Sequence, residues 1–181
     1  MNKPLAAIIL AAGKGTRMDS DLPKVLHKVG GRAMIVHVIH TARNLGTEKN
    51  IAVLGYKYEI VQKALENESV ECALQLKQLG TAHAVMQSQD LLSDFQGNVL
   101  ILYGDVPLIK IETLSRLMEV HEIEGAWSTI LTTDLPDPTG YGRIIREKGK
   151  VAIDKINNYV EIQGVNNIEQ LDEVNEFYKN D

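Results

Sequence analysis

Glycine, lysine and arginine crowd one short stretch, IILAAGKGTRM (Ile8–Met18), directly behind an apolar run. Gly13 and Gly15 lack the Cβ atoms that would hold backbone N–H groups away from phosphate oxygens. Lys14 and Arg17 add positive charge. Lys24 follows seven residues after Arg17, its approach stiffened by Pro23. A loop of this kind can cradle phosphates through backbone donors and local cations. Two familiar phosphate patterns do not describe it. The Walker spacing G-x-x-x-x-G-K-[ST] is absent, and the dinucleotide fingerprint G-x-G-x-x-G fails because Met18 stands at its third glycine position. Taken alone, the loop reads equally well as an ordinary strand-to-helix turn.

Three further segments carry candidate chemistry. In LYGDVPLI (Leu102–Ile109), Asp105 falls just past NVLILY, the strongest strand signal of the chain. A carboxylate at a strand end suits a hard divalent cation such as Mg²⁺, which takes oxygen ligands and keeps phosphates and water in its shell. Taken alone, Asp105 reads first as a turn former after Gly104. In Gln75–Thr81 a strand gives way to a helix. An amide there can read a nucleobase edge because it offers both donor and acceptor. Gly80 and Thr81 can add backbone and hydroxyl contacts, or simply start a helix. In DPTGYGRIIRE (Asp137–Glu147), Gly140 and Gly142 flank Tyr141 in a turn-rich entry to a strand over Arg143–Arg146.

His27, His37, His40, His83 and His121 show no metal-ligand spacing with Cys72 or with one another, and read as structural or surface residues. No Ser/His/Asp or Cys/His arrangement is legible.

The elements that must position these groups alternate. Strands are expected over Ala6–Leu10, Ile51–Leu54, Val70–Gln75, Asn98–Tyr103 and Ser128–Thr133. Helices are expected over Met34–Leu45, Lys57–Glu66, Ala82–Leu92 and Ile111–Ile123, with a closing helix at Ile168–Tyr178 capped by Asn167. Apolar strands alternating with amphipathic helices predict an α/β fold, Rossmann-like and doubly wound on a mostly parallel sheet. In such sheets ligands bind beyond the carboxyl ends of strands. This is where the glycine-rich loop and Asp105 would lie.

The chain has 181 residues, 44% of them hydrophobic and 24% charged, with a net charge of −5. One domain over 1–181 with a sizeable core is expected. The absence of a basic surplus argues against nucleic-acid and membrane partners, so an anionic ligand would need a local cluster of cations. Cys72 is the only cysteine, which excludes an internal disulfide framework. With no signal peptide and no membrane-length apolar run, a cytoplasmic location is expected.

LAAGKGTRM followed by LPKVLHKVGGRAM resembles the opening of sugar-phosphate nucleotidylyltransferases. QLGTAHAV (Gln78–Val85), LYGDVPLI, DPTGYGRIIRE and GVNN (Gly164–Asn167) narrow the resemblance to the uridylyltransferases that make UDP-N-acetylglucosamine. The resemblance runs from about Leu5 to Val151 and resumes from Gly164. It implies a nucleotide-diphospho-sugar transferase fold of GT-A-like type. It also implies the joining of UTP and N-acetylglucosamine 1-phosphate with release of pyrophosphate.

By the same resemblance, Arg17, Lys24 and Asp105 form the chemical core. Leu10, Ala11, Ala12, Gly13, Gly15 and Lys24 hold the nucleotide phosphates, and Gln75, Gly80 and Thr81 form the uracil and ribose side. Tyr103, Gly104 and Gly142 lie beside the sugar, and Asp105 with Asn166 binds Mg²⁺.

The chain departs from this family between Val151 and Gly164, where relatives carry a much longer segment that forms much of the sugar-binding half. Only AIDKINNYVEIQ stands here, and neither an EYYLTD helix region nor an N-T-G strand occurs. Asp154 falls near the position of a family glutamate and reads as a solvated loop residue. No β-helix acetyltransferase domain is expected. The shortening leaves two alternatives beside the enzyme: a homologue that binds UTP without turnover, and an interaction module whose bared sheet edge pairs with another chain, for instance in a homodimer.

Overall fold

A computed structural model describes residues 3–135 and 151–180. The central strand β1 spans Leu5–Ala11. Its apolar run is unbroken because both of its faces are covered. Three strands extend the sheet: β4 (Lys49–Leu54), β5 (Glu71–Leu74) and β6 (Asn98–Tyr103). The order is β5-β4-β1-β6 and every pairing is parallel, with Ile8 opposite Ile51 on one side and Ile101 on the other. A two-residue hairpin, β2 (Lys28–Val29) and β3 (Arg32–Ala33), turns on Gly30 and Gly31. Both glycines have positive φ, +54° and +85°, as a mirror-image hairpin turn requires.

Helices cover both faces. Ala7, Ile9 and Ala11 of β1 pack with α1 (Met34–Asn44), Val61 of α2 (Tyr58–Ala64), and Leu114 and Leu117 of α4 (Ile111–Ile123). On the opposite face Ile8 and Ala12 pack with Ile51, Val53, Ala73 and Ala84, the last from α3 (Thr81–Met86). A second parallel pair, β7 (Ser128–Thr133) with β8 (Val151–Ile156), lies against α4. The chain then passes through a turn at Tyr159–Ile162 into α5 (Ile168–Asn180). None of the described helices is long and apolar enough to cross a membrane.

Successive strands leave β1 first on the β4 side and then on the β6 side. The order reverses at β1, so the crevice beyond the carboxyl ends of β1 and β6 is the topological switch point where such sheets take their ligands. The loops that follow these two strands are the ones that carry Gly13 to Lys24 and Asp105.

Two local expectations are corrected. The helix expected over Ala82–Leu92 stops at Met86, and a separate turn follows at Asp90–Leu92. Ser88 is buried and donates its hydroxyl to Val85 O at 2.6 Å, a local bond that competes with the helical ladder. Asp154 is not a solvated loop residue. It lies in β8, 2% exposed, with Oδ1 2.9 Å from the Arg116 guanidinium. The strand expected over Arg143–Arg146 lies outside the described residues.

His37 is buried on α1, with Nε2 2.8 Å from Val29 O and its ring edge-on to Tyr178 of α5, centroids 5.2 Å apart. Burial lowers its pKa from the ordinary 6.5. The unfolded chain therefore binds the His37 proton more readily than the folded one, and stability falls as pH drops below 6.5. For one proton the slope is at most about 1.4 kcal/mol per pH unit. Thermal denaturation between pH 7.5 and 5.5 is expected to show a falling midpoint, with a shallower fall in His37→Phe. Equal slopes in the two proteins would assign the acid sensitivity to other groups.

Candidate functional site

The segment after β1 is built around two glycines with different tasks. Gly13 is exposed, and a Cβ there would meet nothing within 4 Å, which leaves its backbone open to a ligand. Gly15 has φ +62°, and a Cβ there would stand 2.6 Å from Lys24 Cβ. The chain folds back so that Lys24 packs on the bare Gly15 backbone. Between them Met18 N–H donates to Gly15 O at 3.1 Å, and the buried Met18 side chain anchors the short turn Thr16–Met18. Arg17 sits on that turn, exposed, and makes no hydrogen bond or ion pair with a described residue. Gly15→Ala combines backbone strain with a clash against Lys24. Turnover is expected to fall at least ~10-fold, as small misplacements of a reacting group do. Steady-state kinetics at saturating substrate check this, and wild-type turnover would free Lys24 of any dependence on its seat.

Lys24 is brought to the second loop. Its Nζ donates to Asp105 Oδ2 and, at 3.1 Å, to Asn166 Oδ1. The Lys24 and Asp105 side chains are 15% and 16% exposed. Asp105 is placed by its neighbours. Gly104 N–H donates to Leu10 O at 2.9 Å, stitching the loop to the end of β1, and Val165 N–H donates to Asp105 O at 2.9 Å. Asn166 is oriented as firmly. Its Nδ2 donates to Gly164 O at 3.1 Å and its backbone N–H to Gln170 Oε1 at 2.7 Å, which leaves Oδ1 for Lys24. Asn167 Oδ1 accepts from Gln170 N at 2.8 Å and caps α5, as the sequence leads one to expect. A carboxylate oxygen and an amide oxygen thus converge on one ammonium group. This donor set fits a hard divalent cation, with Lys24 Nζ as the stand-in positive charge.

A third group flanks the crevice on the β5 side. Gln75 follows β5, with its N–H bonded to Leu54 O at 2.7 Å and its side chain 3% exposed. Its Nε2 donates to Gly80 O at 3.1 Å and lies 2.9 Å from His83 Nδ1. Gly80 has φ +99°, with open space where a Cβ would be, and Thr81 is exposed at the first position of α3. Tyr103 ends β6 half exposed. Gly142 lies outside the described residues.

The structure adds residues that sequence reasoning passed over. Tyr56 N–H donates to Ala12 O at 3.1 Å, and Lys14 Nζ and Lys57 Nζ stand 5.7 and 5.5 Å from the Tyr56 ring centroid. Lys57 also donates to Asp21 O at 2.6 Å, and its hydrogen bond to the Asp21 side chain raises its pKa. The positive charge of the glycine-rich loop therefore continues onto the loop after β4. The signal was a GYK tripeptide directly behind a buried strand. His83 is the other addition, since its ring is bonded to a candidate site residue. Among the described residues no three His, Cys, Asp or Glu side chains cluster into a site that could hold a metal by themselves.

A mostly parallel sheet, helices on both faces and a glycine-rich cationic loop at the strand-order reversal define a Rossmann-like nucleotide-sugar transferase fold. Consistent with it, a nucleotidyl transferase from Methanothermobacter superposes with a TM-score of 0.75 over 98% of both chains, at 15% identity. The chain belongs to the nucleotidyl transferase family, whose profile matches residues 6–161. It is similar to the bifunctional protein GlmU of Streptococcus uberis, 48% identical over 164 residues, and to that of Streptococcus mutans, 50% identical over 147 residues. These alignments cover 91% and 81% of this chain but 35% and 32% of the relatives, so the chain spans about a third of the length of the curated relatives it matches.

Proposed function

We propose that the chain transfers a uridylyl group from UTP to N-acetylglucosamine 1-phosphate, giving UDP-N-acetylglucosamine and pyrophosphate. The observation that carries this reading is the convergence of Lys24, Asp105 and Asn166 at the switch point, beside a loop whose backbone is open at Gly13. Likeness to GlmU over most of the chain supports the choice of substrates.

The sugar phosphate oxygen attacks the α-phosphorus in line, and the bond to the departing pyrophosphate breaks. No protein nucleophile takes part. The chain's contribution is alignment and charge. Backbone N–H groups around Gly13, with Leu10, Ala11, Ala12 and Gly15 shaping the loop, receive the triphosphate. Arg17 and Lys24 meet the charge that develops on the pyrophosphate. Asp105 and Asn166 would hold Mg²⁺, which would supply positive charge beside the reacting phosphates. Gln75, Gly80 and Thr81 receive the uridine. Tyr103, Gly104 and Gly142 flank the sugar.

Pyrophosphate release from UTP, Mg²⁺ and N-acetylglucosamine 1-phosphate tests the reading, with calorimetry of UTP and Mg²⁺ alongside. Release at enzymatic rates is expected. If UTP binds but no sugar phosphate releases pyrophosphate, the chain is a nucleotide-binding protein without turnover. If UTP does not bind, the nucleotide reading itself falls.

A further inference from the structure

The hydrogen bonds around Gln75 fix more than its position. An amide nitrogen carries two hydrogens and its oxygen carries none. Gly80 O is an acceptor only, so the amide end that faces it at 3.1 Å must be Nε2. This bond favours one orientation of the Gln75 amide without reference to any ligand, but a single neutral hydrogen bond holds it only weakly. The same Nε2 lies 2.9 Å from His83 Nδ1. For that contact to be a bond, Nδ1 must be bare, and the neutral ring then carries its proton on Nε2.

One competing contact bears on the tautomer. His83 Nε2 stands 3.4 Å from the Gln87 amide nitrogen, which already donates to His83 O at 2.8 Å. A neutral imidazole accepts through one nitrogen only, and the shorter contact, to Gln75, takes it. Both N–H groups of Gln75 are thereby engaged. Only Oε1 is left for a ligand, and no described residue donates to it.

We propose that His83 is a positioning residue that sets the polarity of the Gln75 amide, so that the pocket offers a nucleobase an acceptor and withholds a donor. The proposal rests on the reading that Gln75 faces the base. An amide free to turn would offer either end. An amide held by Gly80 and His83 offers oxygen alone. Uracil presents an N3–H to such an oxygen. Cytosine presents a bare N3, and two lone pairs then face each other in a site screened from water. A site built around one hydrogen bond rejects a base that cannot make it far more strongly than shape alone would. The selection is therefore for bases with a ring N–H at that edge, and His83 enforces it without touching the nucleotide.

The test compares binding of UTP and CTP, each with Mg²⁺, to the wild type, His83→Leu and His83→Asn. The wild type is expected to prefer UTP by at least ~10²-fold. His83→Leu is expected to lose at least ~10-fold of that preference, because an amide held by Gly80 O alone can turn over and present its nitrogen to the cytosine N3. His83→Asn keeps an acceptor where Nδ1 stood and is expected to restore the preference. A purely structural role would change both affinities together and leave their ratio alone. An unchanged UTP:CTP ratio in a His83→Leu protein that still binds UTP overturns the proposal. A ¹⁵N spectrum of the wild-type imidazole at neutral pH gives an answer that does not depend on any variant folding. A proton on Nε2 is expected, and a proton on Nδ1 overturns the proposal. If the wild type binds neither nucleotide, the function itself is misread and this inference falls with it.

Discussion

Asp105→Asn is expected to lower turnover by about 10³-fold while leaving a folded protein. Asparagine preserves the shape of the side chain and the main-chain carbonyl that accepts from Val165 N. It removes the negative charge that faces Lys24 and that would hold a divalent cation beside Asn166. Losing one preorganised electrostatic group costs roughly 10²–10³-fold in other enzymes, and loss of a metal ligand adds to that. Stability is expected to fall by only about 1–2 kcal/mol, since Lys24 keeps Asn166 and a route to water. Pyrophosphate release at saturating Mg²⁺ and a thermal melt measure the two effects. A fall of less than ~10-fold in turnover would remove Asp105 from the mechanism.

Arg17→Ala gives the opposite contrast between chemistry and stability. Arg17 is exposed and pairs with no described residue, so its removal is expected to change stability little. The melt is expected to stay within about 0.5 kcal/mol of the wild type. Under the proposed function turnover is expected to fall about 10²–10³-fold, because the guanidinium would meet the charge of a phosphate-rich transition state. Arg17→Lys should recover only part of it, for an ammonium cannot form the paired hydrogen bonds of the planar fork. Wild-type turnover in Arg17→Ala would mean that the glycine-rich loop works through its backbone and Lys24 alone.

What the residue pattern disclosed follows the physics of each element. The strands β1 and β4 were legible because burial on two faces demands unbroken apolar runs, whereas β6 is apolar throughout although it buries only Leu100 and Leu102 and exposes Val99, Ile101 and Tyr103. The position of Asp105 and Lys24 at one edge followed from the parallel order, and the structure brings their side chains into contact. The hairpin at Gly30–Gly31 went unread although adjacent glycines between Val29 and Arg32 are its ordinary signal. Asp154 was misjudged because a charged side chain in a strand reads as surface. Its partner, Arg116, comes from a helix that sequence proximity does not connect to it. The task of His83 was invisible for the same kind of reason. Its meaning depends on which end of a distant amide it meets, and composition says nothing about that.

Lys24 and Asn166 stand 142 positions apart along the chain, yet one hydrogen bond joins them. A contact of that reach carries a large loop-closure entropy and is among the slowest to form. The β1-β4-β5 layer can assemble from local neighbours and still have no pair of oxygens for a cation, and Met18 of the glycine-rich loop still lacks Val165 and Val174 to pack on. Under the proposed function, competence for chemistry therefore waits on this long-range closure of the chain. In refolding, the return of turnover is a clock for that closure, whereas helical signal reports only its early local stages.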